Sequence, residues 1–192
     1  MRSKVLKSIL SLLVVFTLLF NQYHVASAVG DGYTYLYYTG GFNKANWIQI
    51  VCKSGSLAYT DTARTTWNGV SSKVVISAAS SDNTIWTYFD YFKAPTPGSY
   101  GVTNRYYLGK LLDQNNNTGR WNNARRYQYI NDKLNTPNKK KAVCVHELGH
   151  CLSLGHPYGG SSGVDAVMRD GVRDKYTLTS FDTKSLRMKW GS

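Results

Sequence analysis

The stretch that most constrains this chain is His146-Glu-Leu-Gly-His150-Cys-Leu-Ser-Leu-Gly-His156. Histidines at i and i+4 of a helix leave the same face, about 40° apart around the axis, so both imidazoles can reach one metal ion. Glu147 follows His146 and projects about 100° further round, beside that ion, where it can hold a water without being a ligand. His156 lies beyond the helix and completes a three-nitrogen set only if the chain turns back. Three neutral nitrogens with one open position describe a catalytic zinc site, whereas structural sites are closed by a fourth protein ligand. The composition sharpens this reading. The chain has four histidines, three of them here, and Glu147 is its sole glutamate.

The pattern resembles the metzincin clan of zinc endopeptidases, and within it the matrixin-like branch, whose motif is HExxHxxGxxH followed by a methionine-bearing turn. His146, Glu147, His150 and His156 match the motif, and Ser153 stands at the family's glycine position. The resemblance implies zinc held by His146, His150 and His156, with Glu147 as general base. It also implies Met168 as the methionine of the turn under the metal. The implied fold class is α+β: a twisted, mostly parallel five-stranded sheet packed on two helices, with a C-terminal helix after the Met-turn. The fourth strand of that sheet, here roughly 99–108, would border the cleft and pair with an extended protein or peptide substrate.

Ser153 decides whether His156 can arrive. The helix has to stop near this residue and the chain reverse, a task the family gives to a glycine with positive φ. A turn displaced to Gly155 leaves too short a reach for the His156 ring. Ser153 is therefore expected to adopt positive φ, at about 1–2 kcal/mol for a residue with a Cβ.

The first residues, Met1 to Lys7, are basic. Ile9 to Phe20 is apolar, and Ala26-Ser27-Ala28 is a small-residue cleavage site. This reads as a signal peptide over 1–28 and a secreted or cell-envelope protein. The apolar run is shorter than the roughly 20 residues a membrane span needs, and no other stretch qualifies. Residues 29–192 read as a single domain.

The formal net charge is +12. That excludes little, but it suits anionic cell-envelope polymers as partners. No nucleic-acid signature accompanies Lys139-Lys140-Lys141. Asp113 to Gly119 offers oxygens of the kind calcium takes. With one carboxylate and no matching spacing, it reads as a plain turn. Cys144 and Cys151 are too far apart along the motif helix to bridge each other and point away from the histidines. Either one of them pairs with Cys52, or all three are free thiols.

Strands are expected near 32–38, 47–52, 74–76, 85–92, 100–108 and 125–130, and helices over 57–70, 136–154 and from Thr179. Thr179 to Asp182 is a capping box for the last helix. Two other functional readings fit the same residues. One is a non-catalytic, zinc-stabilised, basic and aromatic-rich surface-binding module, which would not need Glu147. The other is an exported effector protease with one narrow target.

Overall fold

The computed structural model describes residues 25–30, 33–79, 84–90, 92–96, 98–114, 117–157 and 164–192. The expected leader lies outside the described residues up to position 24. Its last residues belong to β1 (Val25–Gly30), which pairs antiparallel with β2 (Tyr33–Tyr38). Cleavage after Ala28 would thus fall within β1.

The main sheet contains β3 (Ile48–Ser54), β4 (Ile76–Ala78), β5 (Ile85–Tyr88), β6 (Gly101–Tyr107), β7 (Lys110–Leu111) and β8 (Asn123–Gln128). Their spatial order is β4-β3-β5-β8-β6-β7. β3 runs parallel to β4 and β5, and β5 parallel to β8. β6 is antiparallel to both β8 and β7. This corrects the expected mostly parallel, five-stranded sheet: the sheet is mixed and has six strands. The extra strand arises because Leu108 and Gly109 both take positive φ, 50° and 79°. That geometry closes a tight hairpin and folds Lys110 and Leu111 back onto β6.

Three helices complete the described structure: α1 (Leu57–Trp67), α2 (Pro137–Cys151) and α3 (Ser180–Trp190). α2 starts because Thr136 caps it, its hydroxyl accepting from the Lys139 N–H at 3.2 Å, with Pro137 in the first turn. The alternating inward residues Ile48, Ile50, Ile85 and Ala124 meet Ala63 and Trp67 of α1 and Val145 and Leu148 of α2 in one core. Burying each isoleucine, valine or leucine of this set stabilises the fold by about 1.5–3 kcal/mol. Trp67 also donates its indole N–H to the Val145 carbonyl at 2.8 Å, which fixes α1 against the motif helix. Among the described residues no helix is long and apolar enough to cross a membrane.

All three cysteines are free thiols. Cys144 and Cys151 are buried in the core, and burial pushes their thiols up to about 11 and about 12. Neither is available as a thiolate near neutral pH. Ellman's reagent should therefore label them only on unfolding, with Cys52 reacting first. Rapid labelling of Cys144 or Cys151 in the native protein would contradict this packing.

Candidate metal centre

α2 delivers His146 and His150 one turn apart, and the reversal after it brings in His156. Helix termination follows a Schellman pattern. The Leu154 N–H reaches the Gly149 carbonyl at 3.0 Å and the Ser153 N–H reaches the His150 carbonyl at 3.1 Å. Ser153 has φ 72°, the left-handed conformation the reversal demands. Among the described residues its buried hydroxyl has no hydrogen-bond partner.

The Ser153 side chain finds room because residue 41 is a glycine: a Cβ there would lie 2.3 Å from Ser153 Oγ. The Tyr38 N–H donates to the Ser153 carbonyl at 2.7 Å. Lys189 donates to the carbonyls of Tyr38, Thr39 and Gly40 at 2.7–2.9 Å. The N-terminal segment is in this way strapped across the turn that positions His156. Ser153→Gly should remove the left-handed strain and the orphaned hydroxyl and raise stability by about 1 kcal/mol. Thermal unfolding checks this, and a loss of stability would mean that Ser153 packing outweighs its strain.

The three Nε2 atoms converge. They are 3.0 Å apart for His146–His150, 2.9 Å for His150–His156 and 3.1 Å for His146–His156. Each opposite nitrogen has an acceptor. His146 Nδ1 donates to the Val167 carbonyl and His150 Nδ1 to the Leu154 carbonyl, both at 2.8 Å. His156 Nδ1 meets Asp170 Oδ1, also at 2.8 Å. With the protons on Nδ1, all three Nε2 lone pairs point into one space and none can donate to another. Burial, reinforced by the neighbouring imidazoles, lowers His146 to about 4 and His150 well below its usual value. Burial also lowers His156, opposed by Asp170. Three neutral imidazoles with converging lone pairs fit a cation at the roughly 2.0–2.1 Å of a zinc–nitrogen bond. The cysteines play no part in this set.

Glu147 is buried, and its Oε2 accepts from the Thr103 hydroxyl at 2.7 Å. The same hydroxyl is 2.9 Å from the Glu147 carbonyl, tying β6 to α2. The other oxygen, Oε1, lies against Gly101, where a Cβ would sit 2.7 Å away. Burial raises the Glu147 carboxyl to about 7, partly offset by Thr103 and by the buried guanidinium of Arg126. A base poised near neutrality is efficient at taking and returning a proton. Glu147 and the three histidines line one cleft of about 610 Å³, bordered by Gly101 to Thr103 of β6 and by Tyr38. Tyr38 stacks on His150 with ring centroids 6.4 Å apart.

Met168 is buried beneath α2, where a Cβ on Gly149 would come within 2.2 Å of its sulfur. Asp182 holds the turn that carries it, accepting from the N–H groups of Val167 at 2.9 Å and Met168 at 3.2 Å. In the loop weighed for calcium, Arg105 takes the oxygens of Asn117 and Gln114, so a guanidinium already uses part of that oxygen set.

The structure thus brings together His146, Glu147, His150, His156, Ser153 and Met168. It adds Thr103, Gly101, Asp170, Asp182 and Tyr38, which sequence reasoning did not single out for the site. One of these carries a sequence signal: the capping box marks Asp182.

No protein-family model matches the chain, and no curated protein matches it. Two solved structures of myroilysin are similar at 11% and 10% identity, with TM-scores of 0.49 and 0.47. They cover 79% and 80% of this chain, and 86% and 97% of theirs. The GM1-bound form of the ECX AB5 holotoxin is similar at 14% identity and a TM-score of 0.46, covering 74% of this chain and 80% of that one. Likeness at this level decides nothing about the site, which stands on its own geometry.

Proposed function

We propose that this chain is an exported, zinc-dependent endopeptidase of metzincin, matrixin-like type. The observation that carries the reading is the convergence of the three Nε2 atoms, each backed by an acceptor on Nδ1, next to a buried carboxylate that is not part of the set. A purely structural metal site has no use for such a carboxylate.

Bound zinc would supply Lewis acidity toward a water and toward the scissile carbonyl. His146, His150 and His156 would hold it and leave one side open to the cleft. Glu147 would take the proton of the attacking water and return it to the leaving amine. Thr103 fixes one carboxylate oxygen, so the proton traffic would fall to the other. Among the described residues the outer edge of β6 is covered by β7 at Tyr106 and Tyr107 and by the Leu112 N–H at the Arg105 carbonyl, 2.9 Å. The backbone near Gly101 and Thr103 is thereby left to pair with an extended peptide. Export rests on the leader pattern alone.

The deciding experiment incubates the purified protein with an unstructured protein, with and without a chelator, alongside metal analysis. The expected result is one zinc per chain, with cleavage that stops on chelation and returns with zinc. Cleavage that persists in metal-free protein would sink the reading.

A further inference from the structure

We propose that Arg173 and Lys175 form a carboxylate-binding subsite in the cleft wall, which makes the enzyme prefer an acidic substrate side chain near the bond it cuts. This deepens the endopeptidase reading and rests on it.

Both residues line the cleft that contains the three histidines and Glu147. Among the described residues their one ion-pair partner is the shared Asp165, while Asp182 acts on Arg173 without pairing with it. Lys175 is paired with Asp165 Oδ2, while Arg173 Nη1 stands 3.8 Å from Asp165 Oδ1, too long for a hydrogen bond. The other carboxylate on this wall, Asp170, is engaged by His156. One carboxylate between two cations leaves positive charge on the wall.

Arg173 is also incompletely satisfied. Its Nε is buried and has no hydrogen-bond partner among the described residues. A guanidinium that lines the cleft, with Nη1 out of hydrogen-bond range of Asp165, favours a planar carboxylate over any neutral side chain, because its terminal nitrogens can make charge-assisted contact. The rival explanation is that the two cations only brace the 165–175 segment through Asp165. That explanation predicts no substrate preference.

The test uses the zinc-loaded protein and a peptide it cleaves, with Glu, Gln or Lys placed in turn at each position around the scissile bond. At one position Glu should exceed its isostere Gln by about tenfold in kcat/KM, as a charge-assisted hydrogen bond allows. Lys should be the poorest residue there, and the Glu preference should shrink in high salt. Arg173→Met and Lys175→Met should each pull the Glu-to-Gln ratio toward one. Arg173→Glu should turn the preference toward Lys, which loss of a mere brace would not do. Equal cleavage of Glu and Gln peptides at every position would overturn the subsite and leave the endopeptidase reading standing. Zinc-bound protein that cleaves no peptide would overturn both. The wild-type ratio decides the matter even if one variant fails to fold.

Discussion

Glu147→Gln is expected to slow hydrolysis of an unstructured protein by about a hundred- to ten-thousandfold, the range general acid–base catalysis contributes, while the chain still binds one zinc. Glutamine keeps the shape and can still accept from Thr103, whose hydroxyl is 2.7 Å from Oε2. What it lacks is a basic oxygen. The metal set consists of His146, His150 and His156, so the substitution removes no candidate ligand. Residual cleavage and zinc content should be measured on the same preparation. Near-normal cleavage would remove Glu147 from the mechanism. Loss of zinc would make it a structural support of the centre. Loss of cleavage with zinc retained would separate the protease reading from a zinc-stabilised binding module, for which the residue is dispensable.

The three-histidine cluster was legible in the sequence because it is local. A helical i, i+4 pair, an adjacent carboxylate and a reversal all lie within one short segment, and short-range geometry determines where their side chains go. The positive φ at Ser153 could be argued for the same reason, from the reach His156 needs. The space that makes a serine tolerable there was not legible, since it is supplied by Gly41, far away in the chain. Thr103 and Glu147 are likewise brought together by sheet packing across 44 positions.

Strand orientation fell outside sequence reasoning for a related cause. Alternation marks where a strand lies but not which neighbour it takes. The Leu108-Gly109 turn carries a leucine at positive φ, in place of the Asn or Asp that would announce a tight hairpin. The β7 strand it creates is only two residues long.

Asp182→Ala should destabilise the metal-free chain by about 3–5 kcal/mol and weaken zinc binding at least tenfold. Asp182 is fully buried. Besides the Val167 and Met168 N–H groups, it accepts from the Thr179 N–H and hydroxyl, both at 2.9 Å. Truncation strands two backbone donors in residues that are themselves buried, at about 1–3 kcal/mol each, and removes the Asp182 half of the α3 capping box, with Thr179 still the N-cap. Against a typical total stability of about 5–15 kcal/mol, that is a large fraction. At roughly 2–4 °C per kcal/mol for a chain of this size, the melting temperature should fall by about 6–20 °C. The effect reaches the metal because the same turn supplies the Val167 carbonyl that orients His146. Losing a partner of this kind weakens metal affinity about 10–100-fold. Asp182→Asn keeps the volume and one acceptor oxygen, so it should fall between the wild type and Asp182→Ala in both measurements. Thermal unfolding of the apo chain and a zinc-competition titration test the two halves separately. Unchanged zinc affinity in a destabilised Asp182→Ala protein would show that the Met168 turn supports the fold without positioning His146. Unchanged stability would show that the two N–H groups find other partners.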